Sequence, residues 1–243
     1  MEIFWKTIAY YNANTWIEQI VLILVGILST ILLIRKPSPK TKLLMKIYLI
    51  VLYAWIAIIY YAVYCEERRY NNVMAIYWGV MALIWLWDAF SDYTPFERTR
   101  KYDLLAYVFI ILPFVYPLFS LSRGLSFPMM TLPIMPCTVA IFTISILLLF
   151  SRKVNILLVL FLCHWSIIGL TKTYFFHIPE DFLAAGATIP ALYLFFSDYF
   201  LEDINEDTKP QAKYINWILI LMCTTLGVIL ICTLFMEMMS ESI

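Results

Sequence analysis

Eight apolar stretches, each long enough to cross the hydrocarbon of a bilayer, take up most of this chain. They cover residues 16–34, 43–65, 72–91, 102–121, 134–150, 154–171, 182–200 and 214–236. A spanning helix needs about 20 mostly apolar residues, and 17 is near the lower limit. The expected fold is therefore all-α, a polytopic transmembrane helix bundle of about eight spans. Only Ser151-Arg152-Lys153 separates the fifth stretch from the sixth, so a tight turn at the membrane surface is expected there. What remains between spans is too short for a soluble domain, and residues 1–243 read as a single integral membrane domain.

Composition agrees. Of the 243 residues 63% are apolar and 14% charged, where a soluble domain is nearer half and a quarter. Aromatics make up 17%, more than a water-soluble interior of this size can hide, and many gather at span ends as an interfacial belt requires. Seventeen basic residues balance seventeen acidic ones, which argues against a nucleic-acid-binding surface. Residues 1–15 lack the basic start, apolar core and small-residue cleavage site of a signal peptide.

Lysine and arginine set the orientation. The first, third, fifth and seventh connections hold Arg35, Lys36, Lys40, Lys42, Lys46, Arg98, Arg100, Lys101, Arg152, Lys153, Lys209 and Lys213. The opposite side holds Lys6, Arg68, Arg69, Arg123 and Lys172. The expected topology is multi-pass, with both termini outside and residues 35–46 in the cytoplasm.

A repeat is also legible. Phe90-Ser91-Asp92-Tyr93 closes the third span and Phe196-Ser197-Asp198-Tyr199 the seventh, and a polar loop ending in Lys-Tyr follows each. Trp55 and Trp165 sit in similar aliphatic surroundings. Two readings stand: a 4+4 tandem repeat with halves 1–121 and 134–243, or common juxtamembrane chemistry met twice. Parallel repeats of the first kind build some transporters.

Pro133 and Pro136 precede Cys137 at the outer end of span five, where proline suits a helix start. Thr138 and Thr143 can satisfy their hydroxyls on carbonyls one turn back. Ala184, Ala187, Thr188 and Ala191 carry small side chains that let span seven pack closely against a neighbour. Cys65 and Cys137 fall on the same outer side, so they read either as packed free thiols or as a disulfide. The first is favoured, because free cysteine is commonly buried as a small apolar residue.

The segment Pro136-Cys137-Thr138-Val139-Ala140-Ile141-Phe142-Thr143, then a leucine-rich run, a basic turn, Trp165, Gly169 and Pro179-Glu180-Asp181, resembles a bacterial multi-pass membrane family of unknown function, DUF6064. The opening Tyr11-Asn12-Ala13-Asn14-Thr15-Trp16 is similar to that family's aromatic-Tyr-Asn start. Where the family carries a second proline after the cysteine and another before the tryptophan, this chain has Thr138 and Leu162. The resemblance implies a bacterial integral membrane protein, expected in the inner membrane, and brings no activity with it.

Tyr11 and Asn12 in the N-terminal tail, Pro136 and Cys137 in the fourth loop, and His177, Glu180 and Asp181 in the sixth all fall on the outer face. They read either as an outward-facing vestibule or as ordinary helix-terminus chemistry, in which acids complement the positive end of a helix dipole. Within the spans two ionisable residues stand out, His164 in span six and Asp88 in the last turn of span three. Such groups are costly at depth and mark functional suspects. His164 serves either as a relay or ligand or as a hydrogen-bonded structural group, and Asp88 lies close enough to the interface to be hydrated.

There is no Cys-x-x-Cys, no His-Glu-x-x-His and no phosphate-cradling glycine loop, so no catalytic residue, metal or cofactor is assigned. Three functions remain: a small-solute transporter or channel, which is favoured; a non-catalytic subunit or lipid-contacting scaffold; and an intramembrane enzyme. The partners are the lipid bilayer and a small-molecule solute, with a homo-oligomer left open and nucleic acid excluded.

Overall fold

The computed structural model describes residues 2–68, 70–150, 153–176 and 178–202, together with Leu221, Thr225, Val228, Cys232 and Met236. Seven α-helices are described: α1 (Glu2–Arg35), α2 (Pro39–Trp55), α3 (Asn71–Ser91), α4 (Asp103–Ser122), α5 (Pro136–Phe150), α6 (Ile156–Phe176) and α7 (Asp181–Glu202). The chain forms two compact units, Met1–Arg152 with α1 to α5 and Lys153–Ile243 with α6 and α7.

In the first unit α1 packs on α2, α2 on α3, and α4 on α5. The connection between Arg35 and Pro39 is short because a capping box starts α2 at once. The Ser38 hydroxyl accepts the Thr41 N–H at 3.3 Å, the Ser38 N–H donates to the Thr41 hydroxyl at 2.8 Å, and Pro39 occupies the first helical position. Beyond Trp55 the same helix widens into a π-helical segment, Ile56–Tyr64, which ends where the Cys65 N–H bonds the Tyr60 carbonyl. Segments of this kind are rare and usually brief. At its far end α3 closes on Asp92, whose N–H still bonds the Asp88 carbonyl at 2.9 Å while its left-handed φ of 48° turns the following chain out of the helix. Two prolines, Pro113 and Pro117, lie inside α4 and each removes one helical hydrogen bond. In the second unit α6 packs on α7.

Among the described residues four helices are long and apolar enough to cross a membrane: Ile3–Arg35, Pro39–Tyr64, Asn71–Ser91 and Asp103–Ser122. This corrects the expected eight spans. The helix Pro136–Phe150, and the described apolar stretches Ile156–Thr171 within α6 and Asp181–Ser197 within α7, are shorter. At 1.5 Å per residue α5, with 15 residues, measures about 22 Å against a hydrocarbon core of about 30 Å. The run 134–150 is longer than its helix because the helix begins only at Pro136. The eighth expected span, 214–236, lies outside the described residues except for five isolated helical positions.

Two further expectations change. Residues 2–15 are not a tail but the first turns of α1, a helix of 34 residues. The two Phe-Ser-Asp-Tyr motifs do not share a place. The first ends α3 at Asp92, whereas the backbone of the second stays helical inside α7. The compact units part after Arg152.

Candidate functional site

A crevice of about 220 Å³ lies in the first unit between α1 and α4, floored by α2 and α5. Its α1 wall runs from Ile23 to Ile34, which at 1.5 Å per residue is roughly 16 Å, about one leaflet of a 30 Å hydrocarbon core. Tyr48 and Leu52 of α2 and Val139 and Phe142 of α5 form the floor. The lining is almost wholly apolar, and Thr30, its one aliphatic hydroxyl, is bonded to the Gly26 carbonyl at 2.8 Å. Gly26 is required by close approach: a Cβ there would lie 2.4 Å from the Tyr48 hydroxyl oxygen and 2.8 Å from its Cζ. On the other side the Tyr48 ring meets Phe142 edge-on at 6.0 Å. The lips are exposed, with Ile27 at 41%, Ile31 at 43%, Tyr107 at 40% and Phe114 at 43%. The crevice therefore opens sideways, along the faces of two helices apolar enough to span a membrane.

Pro133 and Ile134 line the same crevice and are held from α1. The Tyr11 hydroxyl donates to the Ile134 carbonyl at 3.1 Å and accepts the Trp55 indole N–H at 2.9 Å. The Asn12 amide nitrogen donates to the Pro128 and Met130 carbonyls, each at 2.8 Å. Gln19 continues this polar strip, donating to Thr15 at 3.0 Å and to the Asn12 amide oxygen at 3.4 Å. Asn12, Thr15 and Gln19 share one helical face and all are buried. Tyr11 and Asn12 thus fasten the connection between α4 and α5. Pro136 and Cys137 form the first turn of α5 and are buried, and Thr138 and Thr143 bond the Met135 and Val139 carbonyls at 2.7 and 2.9 Å.

The remaining sequence-predicted residues lie elsewhere. Glu180 and Asp181 are buried at the start of α7 in the second unit, and His177 lies outside the described residues. His164 is buried in α6, its imidazole against the Leu160 carbonyl one turn back. Cys65, Cys137 and Cys163 are buried thiols that form no disulfide.

Asp88 is not hydrated at the interface. Its side chain is 1% exposed and pairs at 2.8 Å with the ammonium of Lys46, itself 2% exposed. That ammonium also reaches Asp92 at 2.6 Å and the Asp88 backbone carbonyl at 3.1 Å. The Asp88 carboxylate accepts the Thr94 hydroxyl at 2.6 Å and the Thr94 N–H at 3.1 Å. Lys46, which reads in the sequence as a loop cation, is a buried residue of α2. Antiparallel neighbours bring the start of α2 and the end of α3 to the same level, so an acid there calls for a base from α2. Arg68, expected in an open loop, is likewise buried. It donates to the Phe4 carbonyl at 3.0 Å and to the Thr7 hydroxyl at 2.9 Å, with its guanidinium 4.4 Å over the Phe4 ring.

The described residues thus form an all-helical structure with several helices apolar enough to cross a membrane, a sideways-opening apolar crevice, a polar clasp at one end and a buried ion pair towards the other. The chain belongs to the family of unknown function DUF6064, which matches residues 1–206. No curated protein and no solved structure matches it.

Proposed function

We propose that this is a multi-pass membrane protein whose first unit receives the acyl chain of a bilayer lipid in the crevice between α1 and α4. One observation carries this reading: an apolar channel about one leaflet long, with exposed apolar lips, set between two helices that can span the membrane. A hydrated solute would have to shed its water against walls that offer almost no hydrogen bond in return. An acyl chain sheds none. The sequence favours small-solute transport, and for that reading the relevant feature is the Lys46–Asp88–Asp92 cluster, since intramembrane charges commonly mark ion pathways. The apolar crevice gives the lipid-contacting alternative the stronger support. The distribution of lysine and arginine supports an orientation with both termini outside, and the family resemblance is what suggests a bacterial inner membrane.

The test is photolabelling in bilayers with a phospholipid that carries a diazirine in its acyl chain. Labels are expected to concentrate on residues 23–34 and 107–114 and to fall when Ile110→Trp fills the crevice. Equal labelling of plain lipid-facing positions such as Ile76 and Leu83 of α3, which are 68% and 63% exposed, would count against a specific site.

A further inference from the structure

Resting on the acyl-chain reading, we infer that the lipid is an anionic phospholipid, with its phosphate at the Arg35 end of the crevice. Ile34 of α1 and Tyr107 of α4 both line the crevice, and Arg35 and Lys36 follow Ile34 directly, both exposed. Lys40 and Lys42 stand on the first turn of α2, just across the short connection. No aspartate or glutamate occurs between Gln19 and Cys65, so this corner has no acid of its own. Among the described residues none of these four side chains has an ion-pair partner.

The opposite lip differs. Arg98 donates to the Tyr107 hydroxyl at 3.1 Å but is held by both carboxylate oxygens of Asp103, at 2.5 and 2.7 Å. Its charge is spent, and Lys46 is likewise neutralised by Asp88 and Asp92. Among the described residues the α1–α2 corner thus gathers four cations without an ion-pair partner, beginning one residue beyond the end of the apolar lining. A lipid whose chain lies along Ile23–Ile34 brings its phosphate to that level, because the chain and the α1 wall are both about one leaflet long. A zwitterionic headgroup would bring its own cation into this field, whereas a phosphatidylglycerol-type headgroup brings only the anion. Juxtamembrane cations attract anionic lipid by roughly fivefold per charge.

The experiment uses the full chain in nanodiscs of equal parts phosphatidylglycerol and phosphatidylcholine with matched chains, and counts retained lipids by native mass spectrometry after mild release. Wild type is expected to retain phosphatidylglycerol on the order of tenfold over phosphatidylcholine. Arg35→Gln with Lys36→Gln should lower that preference several-fold while keeping one lipid bound. The charge-preserving pair Arg35→Lys and Lys36→Arg should keep the preference, which separates charge from folding. Equal retention of both lipids by wild type overturns the headgroup inference and leaves the acyl-chain reading standing. A preference that survives Ile110→Trp places the anionic lipid outside the crevice and also overturns it. Wild type that retains no lipid at all overturns the acyl-chain reading itself.

Discussion

Lys46 and Asp88 show how one misplaced residue alters the reading of a whole helix end. Asp88 is visible in the sequence as an ionisable group within an apolar run. Its partner is not, because Lys46 stands at the margin of its own run beside Lys40 and Lys42 and reads as one more loop cation. Only the pairing of α2 with α3 buries it. Removing one member of a buried pair leaves an uncompensated charge, at a cost of about 3–5 kcal/mol. Lys46→Met should therefore lower the melting temperature in detergent strongly, and adding Asp88→Asn should recover part of the loss, since the asparagine oxygen can still accept from Thr94. Additive losses in the double variant would show that the two residues do not act as a pair. A similar blindness affects Asn12. The sequence marks it as polar and outward, but not that its amide holds two carbonyls more than a hundred residues away. Asn12→Ala should cost about 1–3 kcal/mol, and should speed amide exchange selectively in the 128–135 segment. Unchanged exchange there would rule out the clasp.

At the scale of elements, helix content was legible and helix limits were not. Apolar length identified α2, α3 and α4 closely, since nothing else in a lipid setting competes with a helix over such runs. It missed the first turns of α1, because Glu2, Lys6, Asn12 and Asn14 break the apolar run without breaking the helix. It overcounted at α5, where the run extends past the helix that Pro136 begins. The crevice belongs to this scale too, because it needs α1 and α4 to stand apart across α2 and α5, and no periodicity announces that. Gly26 is its most sensitive point. Gly26→Ala should drive the Tyr48 ring off its position at a cost of about 1–3 kcal/mol, and Tyr48→Leu in the same chain should restore stability. If Gly26→Ala alone melts like wild type, the approach of α1 to Tyr48 is looser than 2.4 Å implies.

For the whole molecule the sequence settles class and leaves purpose open. Membership of DUF6064 confirms the kinship that the opening Tyr-Asn and the Pro-Cys stretch suggest, and it carries no activity. Orientation is testable directly. A reporter active only in the cytoplasm should work when inserted beside Pro39 and stay silent when fused to Ile243. The reverse pattern would turn the Arg35 corner outward. The acyl-chain reading has its most direct measurement in native mass spectrometry of protein extracted from its own membrane, wild type beside Ile110→Trp and Ile110→Ala. A crevice that holds an acyl chain predicts one phospholipid mass on wild type and on Ile110→Ala, and a bare chain for Ile110→Trp. Wild type that emerges bare, or lipid carried equally by all three, would contradict it.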